Sequence, residues 1–197
     1  MIQIRNNMFE TNSSSTHSLC ISKEEFDRTL IPKYLNIRAN EEFGWSQETY
    51  CDPESKANYL FQVLYDCDCQ AEIEALTEKI NNIAQKYNVR ISFPKPEADK
   101  FGMYTDGYVD HAGDAVPFVQ ELIDDEDKLC RFLFNPNSCI YTGSDCVDDP
   151  DAACYVADTV ESNGYTWGYD KDGDYEPKNH IHPLYNPDKY EYYFKGN

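Results

Sequence analysis

Residues 9–18 read FETNSSSTHS, a run of hydroxyls with one Glu, one Asn and one His. Ser13, Ser14, Ser15 and Thr16, held in a loop, would offer O–H donors beside free backbone N–H groups. Proteins cradle phosphates and other anions in this way. His17 beside them is a candidate general acid or base, with Glu10 placed to orient it. The plainer reading is structural: Ser and Thr hydroxyls satisfy backbone groups in a tight turn. A second group, Asp106, Asp110, His111 and Asp114, lies in YTDGYVDHAGD (104–114). Its Asp-His pair suits acid–base or metal chemistry, although acids and glycines also make ordinary loops. His17, Asp110 and His111 are therefore the catalytic candidates if the protein is an enzyme.

Other clusters carry weaker metal signals. In DKDGDYE (170–176) the acids alternate as at the start of a calcium loop, but Gly173 comes too early and Ile181 stands where the twelfth-position Glu belongs. A solvated hairpin tip fits that segment better. NHIHP sets His180 and His182 on one strand face without a third ligand. The eight cysteines include one close pair, CDC at 67–69, whose spacing is not that of zinc ligands. No P-loop, dinucleotide fingerprint, nucleophile elbow or HExxH motif occurs. No cofactor and no metal are expected.

Charge is the strongest compositional signal. The chain of 197 residues has a net charge of −19, and residues 97–176 hold 20 acids against 4 bases. Such a field repels nucleic acid and anionic membranes and attracts basic surfaces. Carboxylates interleaved with tyrosines can imitate the phosphates of a duplex, and binding of that kind weakens steeply with salt. Asp124, Asp125, Asp127, Asp148 and Asp149 are the candidate partner-binding residues. The competing explanation is an acidic surface kept for solubility.

The elements that must position these residues follow from periodicity. MIQIR and SLCIS alternate as short strands. Ser22 and Glu25 form a capping box, which predicts a helix to about Leu30. KYLNIRA reads as a strand and NEEFGWSQETY as an irregular loop. Asp52 and Pro53 start a helix whose stripe is Ala57, Leu60, Phe61, Leu64 and Cys67. Asp68 is placed to cap a second helix bearing Ile73, Leu76, Ile80, Ile83 and Tyr87, and Asn88 to end it. VRISF is a strand. Asp114 starts a short helix, EDKLCRFLF forms another, and CIYTG is a strand. Asp149–Pro150 starts a further helix ending at Asn163–Gly164. GYTWGY and KYEYYFK are aromatic strands that could pair with each other.

The expected architecture is α+β: a mixed or antiparallel sheet with a helical hairpin and several short helices. One domain over 1–197 is expected, with a possible subdivision at PKPEADK into 1–96 and an acidic 97–197. Aromatic residues make up 14% of the chain, which opposes disorder. The opening lacks the apolar run of a signal peptide and no stretch is long enough to span a bilayer. A cytoplasmic protein with mostly reduced thiols is expected.

Together RNNMFETNSSSTHSL, EEFGW…YCDPESKANYL, GYVDH and FLFNPNSCIYTGSD resemble a family of small proteins from Firmicutes, their phages and other mobile elements. The resemblance extends through about residue 145 and implies a setting, not an activity or a catalytic residue. In a bacterial host cytoplasm, small acidic proteins block defence nucleases. The leading expectation is an anti-CRISPR or anti-restriction type inhibitor, not an enzyme, whose partner is a basic protein such as a CRISPR or restriction nuclease. It would have no direct contact with nucleic acid or membrane. The alternative is an enzyme or binding protein for a phosphate-containing small molecule, using loop 12–18.

Overall fold

A computed structural model describes residues 15–44, 48–94, 107–144, 166–169, 175–178 and 188–195. Its strands are β1 (Ser15–Ser22), β2 (Tyr34–Asn36), β3 (Glu42–Phe43), β4 (Glu48–Tyr50), β5 (Arg90–Ser92), β6 (Tyr108–Val109), β7 (Cys139–Ser144), β8 (Thr166–Tyr169), β9 (Tyr175–Lys178) and β10 (Tyr190–Lys195). Its α-helices are α1 (Pro53–Asp66), α2 (Gln70–Tyr87), α3 (Val116–Asp124) and α4 (Glu126–Phe134). The fold is α+β, as the alternating and helical periodicities imply. A four-stranded antiparallel sheet runs β10-β1-β7-β4, and β2–β5 and β3–β6 are short parallel pairs. No described helix is long and apolar enough to cross a membrane.

The helical hairpin forms where its signals place it. Asp52 Oδ1 accepts from Ser55 N at 2.8 Å and Pro53 opens α1. At the far end of α2, Asn88 adopts the left-handed conformation at φ 55°, where Asn is tolerated as a stop. Asp68 departs from expectation: at φ 53° it terminates α1 in place of capping α2. Cys69 N then bonds back to Leu64 O at 2.9 Å, and Cys69 is the residue that precedes α2. The link between the helices is too short to hold a separate stop and cap, so the stop prevails.

The expected helix after Ser22 does not form. Ser22 Oγ accepts from Glu24 N at 3.2 Å in a local turn. The Glu24 carbonyl, which a helix needs for its own ladder, accepts from Asn135 Nδ2 at 2.9 Å. Only one 3₁₀ turn follows, Arg28–Leu30, capped by Asp27. Asp114 likewise lies inside a 3₁₀ turn, Ala112–Ala115, and does not start α3. The stretch read as an irregular loop contains β3 and β4. The KYEYYFK strand does not pair with GYTWGY: β10 pairs with β1, and β8 with β9. The MIQIR strand and the helix expected at Asp149 lie outside the described residues.

One apolar cluster joins β1, α1, α2, α3, α4 and β7, so residues on both sides of PKPEADK share it. Tyr59, Phe43, Phe61 and Phe132 are its largest fully buried side chains. Burying each such side chain contributes roughly 1.5–3 kcal/mol. The face of β1 that carries Leu19 and Ile21 joins this core, and α4 packs against the strand. Cys20 and Ser22 point to the opposite face by the two-residue alternation of a strand.

Candidate functional site

The hydroxyl run is a strand in its described part. Ser15, Thr16 and His17 belong to β1 and pair with Ser144, Gly143 and Thr142 of β7, while His17 also faces Lys195 of β10. Ser13 and Ser14 lie outside the described residues. Backbone N–H groups engaged in a β ladder are not available to cradle a phosphate. His17 is 0% exposed, and its Nδ1 lies 2.9 Å from the Tyr59 hydroxyl. The ring sits 5.6 Å from that of Tyr59, which packs edge-on against Phe43. Burial of the phenol holds the Tyr59 hydroxyl protonated far above the ordinary tyrosine range.

Asp110 and His111 sit elsewhere. β6 ends at Val109, Asp110 N bonds to Phe43 O at 3.2 Å, and His111 turns into the left-handed region at φ 51°. His111 Nε2 and Asp110 Oδ1 are 3.9 Å apart, with the imidazole half exposed. His17 is sealed in the core while His111 stands at the surface, so no solute reaches both rings. Among the described residues no three His, Cys, Asp or Glu side chains converge to hold a metal ion. Asp106, Asp170, Asp172, Asp174, His180 and His182 lie outside them.

The partner-binding candidates divide by structural role. Asp124, Asp125 and Asp127 are exposed, and Asp148 and Asp149 lie outside the described residues. Asp125 caps α4, its Oδ1 accepting from Lys128 N at 2.9 Å. Asp127 is tied to Arg131 at 3.1 Å and to Arg28 at 3.6 Å. Lys128 is clamped by Glu121 and Glu191. Burial opposes its charge, but these carboxylates and the Tyr193 hydroxyl hold its ammonium protonated above the usual lysine range. Asp124 is thus the one of the three for which no structural role is evident.

A second acidic face emerges that the count over 97–176 does not contain. Residues 40–54 hold five acids and no base. Glu48 and Glu41 lie near Tyr50 and Glu42 near Tyr108, while Asp52 and Glu54, at the start of α1, act on Glu41. Glu41 titrates above the usual carboxylate range because it is partly desolvated; Asn58 opposes this, and the nearby Asp52 and Glu54 charges add to it. Tyr108 is pushed up to about 12 by burial and then by the Glu42 and Asp110 charges. The signal was legible as a base-free stretch in the sequence, but it takes the fold to bring Tyr108 and Asp110 beside it.

Three polar residues on one stripe of α1 hold this face. Asn58 Oδ1 accepts from Arg38 N at 2.8 Å, and its Nδ2 donates to Glu41. Gln62 Nε2 donates to Gly107 O at 2.9 Å, and Asp66 Oδ2 accepts from Val109 N at 2.6 Å. Their four-residue spacing puts them in a row along the helix. Gly107 must be glycine: a Cβ there would stand 2.4 Å from Glu41 O. On the same helix Lys56 is fully buried and donates to Asn135 O at 3.0 Å and Ser138 O at 2.9 Å. Burial lowers its pKa to about 8, against opposing charges from Cys139, Cys51 and Asp52. The helical periodicity does place Lys56 on the apolar face, four residues before Leu60 and seven before Val63, but its residue type reads as solvent-facing.

Comparison with known protein families, curated proteins and solved structures returns no match.

Proposed function

We propose that the protein is a non-catalytic inhibitor of a basic nucleic-acid-handling protein, working by electrostatic mimicry of a nucleic-acid surface. The observation that carries the reading is the distribution of charge: 20 acids against 4 bases over 97–176, with the acid-and-tyrosine face of Glu41, Glu42, Glu48, Asp52 and Glu54 added to it. Carboxylates beside phenols present negative charge next to flat aromatic surface, the two features that a groove built for nucleic acid recognises. A CRISPR or restriction nuclease in a bacterial cytoplasm is the partner class that fits, which makes this an anti-defence protein of a phage or mobile element. Burial of His17 and pairing of the backbone at 15–17 count against the phosphate-ligand alternative.

The test is inhibition of DNA cleavage by a panel of such nucleases at low and high salt. Wild type is compared with a Glu42→Lys, Glu48→Lys, Asp124→Lys, Asp148→Lys, Asp149→Lys variant. Asp125 and Asp127 are spared because they cap α4 and pair with arginines. Inhibition at low salt that weakens with salt and vanishes in the variant supports the proposal. Absence of inhibition across the panel, or inhibition indifferent to both salt and charge reversal, overturns it.

A further inference from the structure

The sheet aligns three thiols across three strands. Cys20 of β1 is the register partner of Cys139 of β7. On the other side, Tyr50 of β4 pairs with Ile140, which brings the next residue, Cys51, opposite Cys139. The thiols are near enough to perturb one another, Cys139 with both Cys51 and Cys20. Cys139 and Cys20 are 4% and 3% exposed, whereas Cys51 is open to solvent. All three are free thiols in this structure. Facing residues in an antiparallel ladder have Cα atoms roughly 4.5–5.5 Å apart, inside the 4.4–6.8 Å or so that a disulfide spans. Cys51 lies one residue beyond the last β4–β7 pair, so bridging it to Cys139 asks at most a small adjustment at the end of an edge strand.

We propose that Cys51 and Cys139 form a reversible disulfide by exchange with a low-molecular-weight disulfide, with Cys51 as the point of entry. The Cys51 thiolate attacks the incoming S–S bond, which breaks and releases one small thiolate. The Cys139 thiolate then attacks Cys51 Sγ, forming the internal S–S bond and expelling the second small thiolate. The two protein thiols lose two electrons and two protons, and the small disulfide is reduced to two thiols. The product staples β4, an edge strand three residues long, to β7 immediately before α1 begins. Cys139 is held protonated up to about 12 by its neighbour Cys20 and by burial, and Cys51 is held above its usual range by its neighbour Cys139 and by burial. Lys56 favours the thiolate of Cys51 and Asp52 disfavours it. A pair so held exchanges slowly at neutral pH, because the thiolate is the nucleophile.

The test uses the full chain in mixtures of oxidised and reduced glutathione at pH 8. Samples are quenched with acid, alkylated, and mapped by mass spectrometry after trypsin and chymotrypsin digestion. The expected result is a Cys51–Cys139 linked peptide, loss of two hydrogens from the intact mass, and a melting temperature several degrees above that of the reduced protein. Cys51→Ser should abolish the link and Cys20→Ser should retain it, with circular dichroism confirming that each variant is folded. Three results would overturn the proposal: Cys51 remaining as a glutathione adduct beside an alkylatable Cys139, a Cys20–Cys139 link in its place, or no protein disulfide in the oxidising mixtures. Because wild type alone distinguishes these outcomes, a variant that fails to fold does not remove the test.

Discussion

Replacing Lys56 by Met removes a fully buried ammonium while keeping most of its volume. Two effects compete. The variant leaves the carbonyls of Asn135 and Ser138 without their donor, at about 1–3 kcal/mol each. It also removes a charge that the fold disfavours. A pKa brought from 10.5 to about 8 means that the charged lysine destabilises the folded state by roughly 3 kcal/mol at neutral pH. At pH 7 the two oppose each other, so by this balance Lys56→Met should lie between about 1 kcal/mol above and about 3 kcal/mol below wild type in stability. The sign with pH is definite. Between about pH 8 and 10.5 the unfolded chain holds the Lys56 proton while the folded protein has released it, so this group's contribution to stability rises with pH. From pH 7 to pH 10 wild type should gain about 2.5 kcal/mol on the variant by that linkage. Urea unfolding followed by circular dichroism at both pH values, in the presence of reductant, measures the difference. Titration of tyrosines and cysteines is shared by both proteins and cancels to first order. A gap that stays constant between the two pH values would refute the reasoning.

Tyr59→Phe withdraws the hydroxyl from His17 Nδ1 without altering the aromatic packing on Phe43. It should lower stability by about 1–2 kcal/mol in urea unfolding, with the secondary structure unchanged by circular dichroism. Gly107→Ala pushes a methyl group into the backbone at Glu41. A cost of roughly 1–3 kcal/mol or more is expected, together with faster amide exchange at Tyr108 N and Asp110 N, which bond to Glu41 O and Phe43 O.

What could be read from the sequence was whatever local chemistry decides. Asp52–Pro53 and Asn88 fixed the ends of the helical hairpin because cap, fixed φ and left-handed stop act within a few residues. The segment EDKLCRFLF matched α4 in full, since Asp125 directly before it supplies the cap. The failures lie where distant partners take over local groups. The capping box at Ser22 lost because Asn135, more than a hundred residues away, claims the Glu24 carbonyl. The aromatic strand at 190–195 was legible as a strand but not as the neighbour of β1, because alternation carries no information about partners. His17 read as a reactive side chain on its residue type alone; its place on the inner face of a central strand depends on β7 and β10. The polar row of Asn58, Gln62 and Asp66 was hidden for the opposite reason. On a helix, polar residues read as solvent-facing until something polar arrives to meet them.

The register of β1 with β10 sets a schedule for synthesis. Ser22 waits for Tyr190 before its strand gains a second neighbour, so a growing chain carries an open strand edge through most of its translation. Open edges recruit other chains, and pairings between distant residues form slowly. The acid-rich stretch emerges during that interval, ahead of the strand that closes the sheet. Mutual repulsion between nascent copies is then at its greatest while the edge is still bare, so the same carboxylates oppose edge-to-edge pairing of half-made chains.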